Sequence, residues 1–253
     1  MPTRPFIVVI PARYASTRLP GKPLRMLAGK TMLQHVWERA KESSATGIVI
    51  ATDDERIADA ARQFDADVCM TSARHQSGSE RIAEVCRLRG FADDEVIVNL
   101  QGDEPAMPAQ LISQCAALLD DGGSDIGTLA SPLARPEDLH NPNIVKVVLD
   151  SNDNALLFSR SAIPFARGKD TESLAAATAL HHHGIYAYRV SGLLRMVAAP
   201  APAIEVCEQL EQLRALHLGM SIRVAIPMVR PGAGVDTEED LQRADRLLRN
   251  RKS

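Results

Sequence analysis

No apolar run in the 253-residue chain approaches the roughly 18–20 residues that a membrane-spanning helix needs, so we expect no membrane insertion. The N-terminus leads directly into a short apolar segment without the pattern of a secretory leader, and we expect no signal peptide. The chain also lacks a basic excess, because its formal net charge is −3, and this argues against a nucleic-acid coat. These absences predict a cytoplasmic protein without a nucleic-acid partner.

Cysteine is scarce as well. The four residues Cys69, Cys86, Cys115 and Cys207 are far apart and form no CxxC or Cys/His pattern of the kind that binds metal. Isolated cysteines within apolar or helical patterns are typical of free thiols in a reducing compartment. The sequence therefore predicts buried free thiols and no thiolate metal centre.

Carboxylates are missing from the first 37 residues, although the whole chain is acidic. Six cations precede Glu38, the first acidic residue, so the rest of the chain carries a formal charge of −9. Arg13, Arg18 and Lys22 lie in the loop 11–23, which is punctuated by proline and glycine and directly follows an apolar segment. Arginine and lysine held in few conformations at a strand end are suited to a polyphosphate. The alternative is a solvated basic loop.

The hydrophobic pattern alternates between short apolar runs and stretches of helical period, which predicts an α/β fold with a doubly wound, mostly parallel sheet. The predicted strands are 6–10, 48–51, 96–100, 145–149, 185–188 and 222–226, and the predicted helices are 32–43, 55–64, 79–89, 108–120 and 205–218. A capping box at 237–240 predicts the start of the last helix.

The regular alternation of strands and helices ends near residue 124. Residues 131–142 and 159–179 are rich in proline, serine, asparagine and charge. We therefore expect a core formed by 1–130 plus 215–253, decorated by a smaller inserted lobe at 131–214.

Two aspartates follow predicted strands. Asp103 lies in Gln-Gly-Asp-Glu-Pro, directly after the run 96–100, and Asp236 lies in a glycine-rich segment after the run 222–226. Ligands of open α/β sheets gather at the carboxyl ends of the strands, and Mg²⁺ prefers one or two carboxylates together with substrate phosphates. Both aspartates are therefore candidate Mg²⁺ ligands. The alternatives are helix capping by Asp103 or Glu104, and by Asp236 in competition with Thr237.

Three other motifs give weaker evidence of function. Gly29-Lys-Thr31 resembles the end of an ATPase P-loop, but Leu24 replaces the required glycine, so we expect a turn before a helix. The segment 231–235 lacks the third glycine of a dinucleotide-binding loop. In the run 181–183 the middle histidine of an extended chain points away from its neighbours, so the three cannot share one metal.

Taken together, the motifs closely resemble those of the 3-deoxy-manno-octulosonate cytidylyltransferases, which are of the nucleotide-diphospho-sugar transferase (GT-A-like) type. The resemblance runs from about residue 6 to about residue 245. It is carried by the long first motif, Pro11-Ala-Arg-Tyr-Ala-Ser-Thr-Arg-Leu-Pro-Gly-Lys-Pro23, and by His75-Gln-Ser-Gly-Ser-Glu-Arg81, Gln101-Gly-Asp-Glu-Pro105, Asn141-Pro-Asn-Ile-Val-Lys146, Phe158-Ser-Arg-Ser-Ala-Ile-Pro164, His183-Gly-Ile-Tyr186 and Gly234-Val-Asp-Thr237.

The resemblance implies a cytoplasmic, Mg²⁺-dependent homodimer. It would convert CTP and 3-deoxy-manno-octulosonate (KDO) to CMP-KDO and pyrophosphate for lipopolysaccharide assembly, with two Mg²⁺ ions, one bound mainly through CTP. Carried onto matching positions, the catalytic residues would be Lys22, Arg13, Asp103 and Asp236. CTP would be bound by Ala12, Arg13, Lys22, Gln76, Ser77, Gly78 and Arg81, and Mg²⁺ by Asp103 and Asp236. KDO would be bound by Gln101, His182, Tyr186, Glu211 and Gln212.

Three positions depart from the family pattern: Thr31 replaces a commoner proline, Ser72 a commoner arginine, and the histidine run is longer than usual. Glu211 and Gln212 could also be plain surface residues of a helix. Rival functions are cytidylyl transfer to another sugar acid such as sialic acid, transfer to a sugar phosphate, and a non-catalytic nucleotide sensor. A sensor would not need two carboxylates facing the basic loop.

Overall fold

A seven-strand path forms the main sheet of the computed structural model, which describes residues 4–15, 19–168, 171–232 and 234–250. Its order is β11-β7-β10-β6-β1-β4-β5, and β8 and β9 extend it beside β10. The strands are β1 (Phe6–Ala12), β2 (Met26–Leu27), β3 (Lys30–Thr31), β4 (Gly47–Thr52), β5 (Asp67–Met70), β6 (Val96–Asn99), β7 (Ile126–Pro132), β8 (Lys146–Leu149), β9 (Ala155–Ser159), β10 (Leu180–Arg189) and β11 (Ile222–Ala225).

Helices cover the sheet and connect its parallel strands. They are α1 (Met32–Lys41), α2 (Glu55–Arg62), α3 (Gly78–Arg89), α4 (Ala109–Ala117), α5 (Glu172–Thr178), α6 (Val190–Ala198), α7 (Ala203–Glu208), α8 (Gln212–His217) and α9 (Glu238–Asn250), with 3-10 turns at Lys22–Leu24 and Pro136–His140. No helix in the described ranges has the length and apolar character to cross a bilayer.

The central strand β1 shows why the sheet is buried on both faces. It pairs in parallel with β4 and β6. Val8 and Ile10 pack into one hydrophobic cluster and Val9 into the cluster on the opposite face. A strand that helices cover on both faces has a continuous apolar sequence, and residues 6–10 show this pattern. The predicted α/β class is confirmed. The sheet is mixed, because β10 runs antiparallel to β6 and β7.

The structure divides one predicted helix into two. Instead of a single helix over 205–218 it has α7 and α8, because Gln209 between them adopts a left-handed conformation at φ 54°. Ala28 and Gly29 form the turn of the β2–β3 hairpin and Lys30 begins β3, so the predicted turn lies one residue earlier and the segment is not a P-loop. Thr31 accepts a hydrogen bond from the backbone of Gln34 and caps α1, which is a role for a threonine where the family more often has proline.

The extension beside the main sheet lies within the predicted lobe 131–214. There β8 pairs with β9 and with the first residues of β10, and α5 packs near the turn Pro136–His140 around a small cluster of Leu139, Ala175, Ala176 and Ala179. Strand β10 belongs to both the extension and the main sheet. The division of the chain at 131 and 214 stays a prediction.

Candidate active site

Two neighbouring strand ends build one edge of the site. Strands β1 and β6 are parallel, with Val9 opposite Asn99, so the loops that follow them leave the sheet side by side. At Gly102 an added Cβ would lie 3.0 Å from the backbone oxygen of Pro11. A glycine at this position therefore lets the second loop pass against the first, as a ligand edge of an open α/β sheet requires.

A third loop, ending in Asp236, packs onto the same edge. The backbone N–H of Val235 donates to the backbone oxygen of Asp103 over 2.9 Å. A Cβ at Gly232 would lie 2.4 Å from the backbone oxygen of Ala106, a contact that only glycine avoids. Asp236 is therefore placed next to Asp103, although 132 intervening residues separate them in the sequence.

Lys22 joins the two aspartates. Its Nζ donates to Asp103 Oδ2 at 2.7 Å and to Asp236 Oδ1 at 3.0 Å. Gly21, left-handed at φ 64°, turns the loop immediately before Lys22. Burial alone would lower the pKa of the Lys22 ammonium, but Asp103 and then Asp236 outweigh burial, so its pKa is raised and the side chain is charged. The cationic loop and both aspartates thus meet at one point.

Glu104 lies beside this cluster in a different protonation state. Burial, followed by the charges of Asp103 and Asp236, raises the pKa of Glu104 to about 8, against the opposing effect of Lys22. A Cβ on Gly234 would lie 2.7 Å from Glu104 Oε1, so that glycine leaves room for the carboxyl group. At pH 7 the carboxyl group of Glu104 is therefore mostly neutral.

A cavity of about 310 Å³ opens beside Lys22, within the range of small-molecule sites. Its wall includes the amino end of α3, where Ser77 caps the helix. Backbone N–H groups at the start of a helix of this length favour anions. Every residue predicted to bind CTP lines this cavity, as do both aspartates and Gln101: Ala12, Arg13, Lys22, Gln76, Ser77, Gly78, Arg81, Gln101, Asp103 and Asp236.

The cations of the cavity differ in their surroundings. Arg13 is exposed. Arg81 is only 3% exposed and donates to Thr71, while its guanidinium lies 3.0 Å from the carboxylate of Asp53. Asp53 directly follows β4, at the same end of the sheet. It could have been predicted as Asp103 was, because ligands of open α/β sheets bind at the carboxyl ends of the strands. Arg18 lies outside the described residues, and Ser72 does not line the cavity.

Two of the five residues predicted to bind KDO, His182 and Tyr186, lie outside the lining of this cavity, in a row of rings. Phe158 and His182 have centroids 5.0 Å apart, His182 and Tyr186 5.2 Å, and Tyr186 and Tyr188 5.7 Å. Burial, and secondarily the neighbouring His183 and His181, lowers the pKa of His182 to about 3. Within the described part of the chain the buried hydroxyl of Tyr186 has no hydrogen-bond partner. Such an orphan group is a candidate substrate contact.

Glu211 and Gln212 are not plain surface residues. Gln212 is 9% exposed, and Glu211 accepts hydrogen bonds from Ser77 Oγ at 2.6 Å and Ser79 Oγ at 2.7 Å. Glu211 therefore ties the start of α3, at the wall of the cavity, to the start of α8. Ser79 was not predicted as a site residue, because a serine in the first turn of a helix gives no signal of its own in the sequence.

The pair Asp103 and Asp236 fits a hard divalent cation. Both carboxylates already contact one positively charged atom, Lys22 Nζ, and their open side faces the cavity. The described ranges hold no cluster of three or more His, Cys, Asp and Glu arranged for a metal. A two-carboxylate site suits Mg²⁺, which usually takes its other ligands from water and substrate phosphates.

Comparison with known proteins agrees with this geometry. Residues 7–222 match a family model described as cytidylyltransferase. The chain is 50% identical over 247 residues to 3-deoxy-manno-octulosonate cytidylyltransferase 1 of Actinobacillus pleuropneumoniae serotype 5b (strain L20), covering 96% of this chain and 99% of the relative. It is also 50% identical over 248 residues to the 3-deoxy-manno-octulosonate cytidylyltransferase of Thioalkalivibrio sulfidiphilus (strain HL-EbGR7), with 96% and 99% covered.

Solved structures give the same result. The structure of CMP:2-keto-3-deoxy-manno-octonic acid synthetase complexed with CTP superposes with a TM-score of 0.90 at 37% identity, covering 98% of this chain and all of the other. A 4-diphosphocytidyl-2C-methyl-D-erythritol synthase, at 15% identity and a TM-score of 0.65, shares the fold alone. The chain belongs to the cytidylyltransferase family, and within it to the 3-deoxy-manno-octulosonate cytidylyltransferases.

Proposed function

We propose that the chain transfers a cytidylyl group from CTP to KDO, giving CMP-KDO and pyrophosphate. The observation that carries the site assignment is the contact of Lys22 Nζ with Asp103 at 2.7 Å and with Asp236 at 3.0 Å, at the edge of a cavity of about 310 Å³. The family relationship supports the reaction, and the position of these three groups supports their roles in it.

In the reaction the 2-hydroxyl oxygen of KDO forms a bond to the α-phosphorus of CTP. The bond between that phosphorus and the oxygen bridging to the β-phosphate breaks, the hydroxyl loses its proton, and pyrophosphate leaves. Both substrates are anions, so their approach needs countercharge. Lys22 and Arg13 supply it to the phosphate oxygens, and no covalent nucleophile of the protein is required.

Asp103 and Asp236 would hold Mg²⁺, and a second ion would be bound mainly through CTP. Bound Mg²⁺ lowers the pKa of a hydroxyl and stabilises charge on a leaving phosphate. With the nucleotide in place, Lys22 is free to move from the aspartates to the phosphates, because its ammonium sits on a flexible stem.

The sugar acid is proposed to bind between Gln101 and the ring row. Gln101 lines the cavity and donates to Asn99 over 3.1 Å, which orients its amide. The unpaired hydroxyl of Tyr186 offers a hydrogen bond to a sugar oxygen. Neutral His182, whose Nε2 lies 3.1 Å from Thr128 Oγ1, packs beside it. Glu211 keeps the two sides together through Ser77 and Ser79.

The test is pyrophosphate release in matched mixtures. CTP, KDO and Mg²⁺ together are expected to yield pyrophosphate and CMP-KDO, and omission of any one is expected to remove both products. Sialic acid and a sugar phosphate in place of KDO test the rival acceptors. Pyrophosphate release with either rival at the KDO rate would reject the acceptor assignment, and CTP binding without turnover would favour a sensor.

Three wider properties belong to the same proposal: a homodimer, a cytoplasmic location, and a product destined for lipopolysaccharide. Among the described strands β9 pairs only with β8, and on it Leu156 is 62% exposed, which offers a second copy an open apolar edge. All four cysteines are free, which agrees with a reducing compartment, although Cys207 is exposed and the prediction that it is buried was wrong. Light scattering on the wild type and on Leu156→Glu tests the dimer, which predicts twice the chain mass for the first and a shift towards the single-chain mass for the second.

A further inference from the structure

A pair of histidines on β10 has no part in the proposed reaction. His181 and His183 are two positions apart on a strand, so their side chains lie on one face, whereas His182 faces the ring row on the other. The ring centroids of His181 and His183 are 4.9 Å apart and the rings are inclined by 50°. Both side chains are half-buried, so small solutes can reach them.

The spacing of these two rings matches a shared metal ion. A zinc–imidazole bond is about 2.0–2.1 Å long, and two imidazoles bound tetrahedrally to one ion would have centroids about 5 Å apart. The observed centroid separation of 4.9 Å is close to this value. Preorganised ligands of this kind avoid part of the ordering cost of binding.

Ser131 fixes one of the rings. It lies opposite His181 on β7, and its Oγ is 2.8 Å from Nε2 of His183. In the tautomer of His183 whose Nε2–H donates to this hydroxyl, Nδ1 carries no proton and can bind a metal.

The protonation of the pair also suits metal binding, because only neutral imidazole is a ligand. Burial, and then the neighbouring His181, lowers the pKa of His183 to about 4. Burial lowers the pKa of His181 as well, with Asp138 opposing it and Lys146 adding to it. At pH 7 both rings are therefore neutral, and an ion does not have to displace protons.

We propose that His181 and His183 bind one divalent transition-metal ion of the Zn²⁺ class, with water completing its coordination. Imidazole favours zinc, copper and nickel, whereas Mg²⁺ favours oxygen, so this site is chemically distinct from Asp103 and Asp236. Because the described residues place no third His, Cys, Asp or Glu ligand here, binding is weaker than at a structural zinc site with four protein ligands.

The experiment titrates the metal-free full chain with ZnCl₂ by calorimetry, with excess Mg²⁺ present to occupy the carboxylate site. Side-chain ¹H–¹⁵N spectra of the histidines locate the ion. The expected result is one Zn²⁺ per chain, shifts at the ring nitrogens of His181 and His183, and at least a tenfold loss of affinity in each of His181→Ala and His183→Ala. The control His217→Ala, an exposed histidine of α8, is expected to retain the wild-type affinity.

Unchanged affinity in the double variant, or no binding to the wild type, would overturn the proposal. So would loss of the Zn²⁺ in Asp103→Asn, because the ion would then belong to the carboxylate site. If circular dichroism shows that an alanine variant does not fold, His181→Gln and His183→Gln decide the question, since glutamine keeps the size and polarity but is a poor zinc ligand. The outcome is independent of the proposed reaction.

Discussion

The proposed nucleotide side, which is the cavity beside Lys22, and the proposed acceptor side, which is the row of rings from Phe158 to Tyr188, are built in different ways. The nucleotide side is a charged, open cavity assembled from loops that follow parallel strands, and Lys22, Asp103 and Asp236 are already in contact there. The acceptor side is a buried row of rings with one unsatisfied hydroxyl, that of Tyr186. The nucleotide side is thus electrostatically preorganised. The acceptor side contributes its shape and, among the described residues, the hydroxyl of Tyr186 that is available for a hydrogen bond.

This contrast predicts that substitutions on the nucleotide side lower the rate of turnover, whereas substitutions on the acceptor side weaken the binding of KDO. The largest effect is expected for Asp103→Asn, which keeps the size of the side chain but removes a metal-binding charge. Turnover should fall by about 10³-fold or more. Pyrophosphate release measures it. Asp94→Asn, a change at an exposed position, is the control and should have wild-type activity. A collapse of the thermal midpoint in Asp103→Asn would instead indicate a structural role.

Lys22→Ala should rank second. It removes one preorganised cation, and kcat should fall by about 10²–10³-fold with a smaller change in the KM for CTP. Lys41→Ala is a matched control, because the Lys41 ammonium lies over the Trp37 ring, 4.6 Å from its centroid, and outside the cavity. Full activity in Lys22→Ala would show that this lysine has no part in the mechanism.

Tyr186→Phe tests the acceptor side. The change deletes a hydroxyl that has no partner in the described protein, so the unfolding free energy should stay the same or rise. The KM for KDO should rise about tenfold, or about 1.4 kcal/mol, with the KM for CTP unchanged. Tyr188→Phe is the matched control, since its hydroxyl interacts with Ser79 and Asn99 and its loss should cost about 1 kcal/mol of stability. An unchanged KM for KDO in Tyr186→Phe would remove this tyrosine from the acceptor site.

The last prediction concerns the dependence of stability, and not of activity, on pH. An unfolded histidine has a pKa of about 6.5, whereas burial lowers that of His182 to about 3. Between these values the unfolded chain holds the extra proton, so this contribution to stability is complete above pH 6.5 and is lost as the pH falls. The loss is up to about 1.4 kcal/mol per pH unit. Denaturant unfolding between pH 7 and pH 5 should show a shallower slope for His182→Gln, and equal slopes would show that His182 is not buried in its neutral form.

The sequence predicted the nucleotide side better than the acceptor side, for a physical reason. Asp103 lies just after β6 and Asp236 lies in the loop between β11 and α9, and parallel strands end at one sheet edge, so the order of elements along the chain indicated where both aspartates lie. Glu211 lies just before a helix, and nothing local reveals that two serines of α3 bind its carboxylate. The break between α7 and α8 was missed because Gln209 is not a typical left-handed residue.

The most direct test of the account is diffraction from crystals grown with CTP and Mn²⁺, using the anomalous signal of manganese to locate the ion. The account predicts a peak bound by the carboxylates of Asp103 and Asp236, with Lys22 displaced towards the phosphates of CTP. A manganese ion held only by the triphosphate, with Lys22 still bridging both aspartates, would contradict it.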